Sequence, residues 1–201
     1  MRASYVRESA DVRRQSLIDA AGRCLAEHGV AGSSVRAICA KAGVSAGLLT
    51  HYFSGVDELI LAAYRDTGKR VSDAIEEAVA IAGTDPRARL HAYVTASFRP
   101  PILDPQLLAT WIAFWSLVKT SPLIAGQHGI NYAGYREGIE VLIAECHPDT
   151  LSKAEIKRAA IAITAMVDGL WLELCLDPTT FTPEDAIAVT TRWIDTLVGT
   201  S

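Results

Sequence analysis

Ser33 to Phe53 reads SSVRAICAKAGVSAGLLTHYF, and its spacing predicts two short helices around a tight turn. A helix opening at Val35 behind a Ser33/Ser34 cap turns Val35, Ile38, Cys39 and Ala42 inward, and Gly43 supplies the left-handed residue that ends it. Ser45 then caps a second helix, Ala46 to Phe53. Its buried row is Leu49 and Phe53, which leaves Ala46, Gly47, Leu48, Thr50, His51 and Tyr52 for an outward face. Small residues at the start of that helix allow close entry into a groove, while hydroxyls, an imidazole and a phenol offer hydrogen bonds to phosphates or base edges. This is the pattern of a helix-turn-helix whose second helix reads DNA. A plain helical hairpin with glycine at its bend would look the same, so the flanking sequence has to decide.

Upstream, Ser9 can cap a helix in which Val12, Leu17, Ala21, Cys24, Leu25 and His28 recur at helical spacing, with Gly29 ending it. That third helix gives the hairpin a core. Arg13 and Arg14 sit near its exposed start, and Arg2 and Arg7 form a basic arm before it. Residues 1–53 carry seven Lys/Arg against four Asp/Glu, whereas the remainder carries twelve against nineteen, so a positive end precedes an acidic body. The overall charge of −4 argues against indiscriminate nucleic-acid binding.

A chain of 201 residues that is 50% apolar and 21% charged can bury a sizeable core and is not a disordered chain. Cys24, Cys39, Cys146 and Cys175 lack the close spacing of a metal site or disulfide framework, and no signal peptide is evident; reduced, packed thiols in the cytoplasm are expected. The longest apolar stretch, Ala159 to Val167, is too short to span a bilayer, so no membrane partner is expected.

Downstream nothing reads as a strand. Ser54 with Asp57 opens a long helix that runs to Gly83, and Asp85-Pro86, Asp104-Pro105, Ser121-Pro122 and Thr182-Pro183 each pair a cap residue with a proline at the first helical position. Breaks at Pro100-Pro101, Pro148 and Pro178 complete a reading of about nine helices. The fold class is all-α, with a helix-turn-helix domain over 1–54 and a helical effector-binding and dimerisation domain over 55–201. Two segments of the second domain stand out. Trp111 and Trp115 share a helical face beside Phe114, and Asp168 and Gly169 interrupt an apolar helix next to Trp171. Aromatic faces with a carboxylate suit a cation, above all a quaternary ammonium; the same residues also serve as ordinary core, with Asp168 bonded to a neighbouring helix. The last two helices, Lys153 to Leu176 and Pro183 to Val198, carry more apolar surface than one core needs. Ala159, Ala160, Ala162, Ala165 and Gly169 keep the first of them thin, which fits a two-fold homodimer interface.

Ile38 to Gly47, ICAKAGVSAG, followed by His51-Tyr52-Phe53 and Glu58-Leu59, resembles the N-terminal signature of the TetR family of bacterial transcriptional repressors. GVSAGLLTHYF, Ala113 to Trp115 and Asp168 to Leu172 are similar to the branch of that family that represses glycine-betaine synthesis from choline. The resemblance implies a homodimer whose two heads dock in successive major grooves of a palindromic double-stranded operator, with a small-molecule site in each C-terminal domain and no cofactor or metal. Carried over by position, Arg36, Ala46, Gly47, Leu48 and Thr50 would meet bases, and Ser34, Ser45, His51 and Tyr52 would meet phosphates or position the helix. Trp111, Phe114, Trp115 and Trp171 would wall an effector site, with Asp168 as counter-charge and choline or a related cation as effector. Three residues depart from the pattern: Cys39 for the usual Ala, Thr50 for a frequent Tyr, and Val56 for a Lys that approaches phosphate. The competing reading is a helical enzyme or carrier that happens to contain such a hairpin. Against it stand the lack of a Gly-rich phosphate loop, a metal-ligand cluster or a nucleophile/base arrangement in the sequence.

Overall fold

The computed structural model describes residues 10–147 and 151–198, with side chains described to residue 196. The Ser9 cap, the Arg2/Arg7 arm and the Pro148 break therefore lie outside the described residues. Within them the chain forms α1 (Ala10–Gly32), α2 (Val35–Ala42), α3 (Ala46–Tyr52), α4 (Val56–Ile81), α5 (Pro86–Thr95), α6 (Pro105–Leu117), α7 (Pro122–Cys146), α8 (Lys153–Leu176) and α9 (Pro183–Val198), with one 3₁₀ turn at Ala96–Phe98. No strand occurs among the described residues.

Local chemistry sets the ends. Asp85 caps α5 by accepting from the Ala88 N–H at 2.8 Å, and Ser152 and Glu155 close a reciprocal capping box on α8. At the start of α4 the reciprocal partner of Ser54 is Glu58, not Asp57: the Ser54 N–H and hydroxyl both donate to it, at 2.7 and 2.8 Å. The helix begins two residues after Ser54, which puts Glu58 in its third position. Gly29 (φ 61, ψ −168) breaks α1, yet one more turn follows to Gly32, tied by the Ser33 hydroxyl donating to the Gly29 carbonyl at 2.7 Å. That bond takes Ser33 out of the capping role and leaves it to Ser34.

Two compact units result. One comprises residues up to Thr67 together with Ala109–Gln127, and the other comprises Gly68–Leu108 with the chain from His128 onward. The first unit is built on one continuous core. Leu17, Ala21, Cys24 and Leu25 of α1 join Ile38 and Cys39 of α2, Leu49 of α3, Phe53, Leu59 and Tyr64 of α4, Phe114 of α6 and Ile124 of α7. Val12 and His28, assigned to the inner row of α1 by periodicity, lie outside it: Val12 is 53% exposed and His28 is exposed beside Glu27. Near either end of the helix there is no neighbouring element to cover that row. In the second unit, Ile75 of α4, Ala96 and Ile102 form a core flanked by Val71, Tyr93, Leu107 and Tyr135.

Helix α8 is long and apolar enough to cross a membrane, beyond the shorter stretch that the sequence suggested. Its Ala160, Ile163, Val167, Trp171 and Leu174 are buried within the protein, as in the core helix of a bundle.

Candidate functional site

In the first unit α2 and α3 are joined by Gly43, whose left-handed conformation (φ 67, ψ 31) only glycine adopts without strain. Its N–H donates to the Ala40 carbonyl and that of Val44 to Cys39, at 3.3 and 3.0 Å, which fixes the turn. Ser34 accepts from the Ala37 N–H at 3.2 Å and Ser45 from the Leu48 N–H at 3.3 Å. Each serine hydroxyl hydrogen remains free to donate outward. Leu49 and Phe53 are buried, while Arg36, Ala46, Gly47, Thr50 and His51 are exposed and Leu48 and Tyr52 half-buried. The Thr50 hydroxyl donates to the Gly47 carbonyl at 3.1 Å, and the His51 and Tyr52 rings meet edge to face at 4.9 Å. Around this face, Lys41 pairs with Glu27, and the Arg14 guanidinium lies 5.0 Å from the centre of the Phe53 ring. Val56 packs against the core of the unit, so the first turn of α4 offers a methyl surface where a lysine would offer charge.

The thiols of Cys24 and Cys39 are buried, and burial pushes both pKa values up, which keeps them protonated and inert.

The α6 aromatics also belong to the first unit. Phe114 is wholly buried, 4.5 Å from Tyr64 and 5.7 Å from Trp111 between ring centres; Tyr64 meets Trp111 edge to face at 5.1 Å, and Trp111 stacks on Trp115 at 6.4 Å. Burial raises the Tyr64 phenol to about 12. Phe114 has no free face to offer a ligand.

Asp168 and Trp171 fall in the second unit, with a different set of partners. Tyr132 of α7 hydrogen-bonds the Asp168 carboxylate, and Arg136, one turn further along α7, lies within electrostatic reach of it. Burial nevertheless dominates and raises the Asp168 pKa above the usual carboxylate range. Tyr132 packs on His128 at 4.4 Å, and the imidazole pKa is lowered by burial and by Arg136, which favours the uncharged ring. Beside them Tyr93 donates to the Tyr135 carbonyl at 3.1 Å with ring centres 5.3 Å apart. Trp171 is almost fully buried, whereas Tyr132, Tyr135 and Asp168 each keep some exposure. The structure therefore places Trp111, Phe114 and Trp115 with Tyr64, and Asp168 with Tyr132. Sequence reasoning missed Tyr64, Tyr93, Tyr132 and Tyr135. The available signal was the run His128, Tyr132, Tyr135 and Arg136, which shares one face of α7.

Among the described residues, no cluster of three His, Cys, Asp or Glu side chains could hold a metal ion.

Residues 17–63 match the family model described as bacterial regulatory proteins of the tetR family, and residues 86–199 match that of the BetI-type transcriptional repressor, C-terminal. The HTH-type transcriptional regulator BetI of Burkholderia mallei is 30% identical over 189 residues, 94% of this chain and 95% of its own. A transcriptional regulator of Pseudomonas aeruginosa PAO1 of known structure superposes with a TM-score of 0.87 at 38% identity, covering 98% of this chain and 95% of that one. Another, from Saccharomonospora viridis and solved in complex with choline, gives 0.77 at 19% identity, covering 92% and 96%. These relatives are regulators and not enzymes, which removes the helical enzyme as a reading of this fold. The chain belongs to the TetR family of transcription regulators and carries a BetI-type C-terminal domain.

Proposed function

We propose that this regulator is a repressor that grips a palindromic operator as a homodimer and releases it when a small cation, a quaternary amine of the choline type, binds the C-terminal domain. The observation that carries the effector reading is Asp168: a carboxylate buried on α8, held by Tyr132 and one turn from Trp171, inside a BetI-type domain. A quaternary ammonium cannot donate ordinary hydrogen bonds, so its recognition falls to a buried negative charge and aromatic faces. The choline carried by the Saccharomonospora viridis structure supports this class. The α6 aromatics enter as a packed core joined to the helix-turn-helix, and the cation site rests on the second unit alone.

On the DNA side, Arg36, Ala46, Gly47, Leu48 and Thr50 would face base edges, with Ser34, Ser45, His51 and Tyr52 on the backbone. All nine are exposed or half-buried on the head. Pairing through α8 and α9 is supported by Ile161, Ala165 and Gly169, which line an outward strip of α8, and by the exposed Val189 of α9. Two half-sites fixed about 34–36 Å apart demand one head separation, so an effector that favours another separation lowers operator affinity. The work is done in the cytoplasm, where the operator is.

Fluorescence anisotropy on the DNA flanking its own gene tests the proposal. Choline should weaken operator binding of the full chain, Asp168→Asn should abolish that response while leaving operator affinity intact, and Arg36→Ala with His51→Ala should remove operator binding. Operator affinity indifferent to choline and to its quaternary analogues would refute the effector reading.

A further inference from the structure

The second unit holds a polar atom that its own fold leaves without a partner. The Tyr135 hydroxyl has no exposed surface and completes no hydrogen bond. Ser97, itself buried, lies beside it and slightly eases its ionisation, but no bond of acceptable geometry closes between them. A buried hydroxyl left unpaired costs free energy, and natural structures keep such groups where something else completes them.

Three features fit that group to a ligand. Its ring is held in place, because the Tyr135 carbonyl accepts from Tyr93 at 3.1 Å and the two rings pack 5.3 Å apart. The ring retains some exposure although the hydroxyl has none, so the phenol borders space that an incoming molecule can reach. It stands within electrostatic reach of Asp168, and Tyr132, three residues back on the same face of α7, binds that carboxylate.

We propose that Tyr135 reads the hydroxyl end of the effector, which makes the ligand class a hydroxylated ammonium compound, an amino alcohol, and not quaternary cations at large. The proposal rests on the cation reading of Asp168 given above. Recognition is then two-point: ammonium at Asp168 and Trp171, alcohol at the Tyr135 hydroxyl, which can both donate and accept. A ligand whose alcohol is oxidised to a carboxylate is disfavoured, because its negative charge would approach Asp168.

Isothermal titration of the full-length protein with choline, propyltrimethylammonium and glycine betaine tests this. Propyltrimethylammonium replaces the hydroxyl of choline with a methyl group and keeps the charge. Choline should bind the wild type about tenfold more tightly than propyltrimethylammonium, the effect of one hydrogen bond, and glycine betaine should bind more weakly than choline. In Tyr135→Phe, choline should fall to the affinity of propyltrimethylammonium, whose own affinity stays unchanged. A choline to propyltrimethylammonium ratio that survives Tyr135→Phe overturns the proposal, as does a variant that loses both cations alike, since that marks a packing role only. No binding of either cation to the wild type would instead remove the Asp168 reading on which it stands.

Discussion

Gly138 lacks a side chain because Tyr93 occupies the place where one would stand: a Cβ there would lie 2.7 and 2.9 Å from two carbons of the Tyr93 ring. Gly138→Ala should therefore push Tyr93 away from the Tyr135 carbonyl and cost about 1–3 kcal/mol through overpacking, read as a drop in Tm. At Gly134, one turn earlier in the same helix, a Cβ meets nothing within 4 Å. Gly134→Ala should leave Tm unchanged or raise it, by up to about 1 kcal/mol of helix propensity. Asp168 makes a pH prediction. Burial raises its pKa in the folded chain, so ionisation is unfavourable to the fold at neutral pH and that penalty is relieved as pH falls. Cation binding has the opposite dependence, because it needs the carboxylate. Choline affinity should be flat near neutrality and decline on acidification sooner than an exposed aspartate would dictate, and Asp168→Asn should flatten the profile in titrations between pH 7 and 5. The sequence made Gly43, Ser34 and Ser45 legible because each answers to backbone groups within four residues. The partners of Asp168 lie on another helix, and spacing along one helix could not name Tyr132 or Tyr135.

Among the elements, α7 does more than its composition announces. His128, Tyr132 and Arg136 recur every fourth residue, so one stripe of the helix carries an uncharged-leaning imidazole, a phenol bound to Asp168 and a guanidinium that partly neutralises the same carboxylate. Arg136 therefore competes with any cationic effector. Arg136→Gln should tighten choline binding by roughly two- to fivefold, the scale of a screened ion pair, without changing affinity for DNA in the absence of effector; titration calorimetry and anisotropy would show it. Helix starts were legible to the residue at Pro86, Pro105, Pro122 and Pro183, where a cap and a proline coincide. The inner row of α1 was less so. Periodicity selects a face along the whole helix, whereas burial needs a neighbour, and Val12 has too little beside it.

For the molecule as a whole, the decisive observation is that the helix-turn-helix does not own its core. Tyr64 of α4 and Phe114 of α6 are as fully buried as Leu17 and Leu49, in one uninterrupted cluster. Phe114→Ala should cost about 3–5 kcal/mol and weaken operator binding although it lies more than sixty residues from the recognition helix; Tm and anisotropy would register both. The nine-helix architecture was legible in the sequence, since punctuation is local. The grouping of α6 with the head was not, because Trp111, Phe114 and Trp115 read equally well as ligand wall or as packing until Tyr64 is seen against them. The divide between the two units also falls inside α4, α6 and α7 and not in a loop. Natural recombination therefore has no clean seam at which to exchange this reading head for another, and a gene fragment ending near Thr67 would encode a segment stripped of its own keystone aromatics.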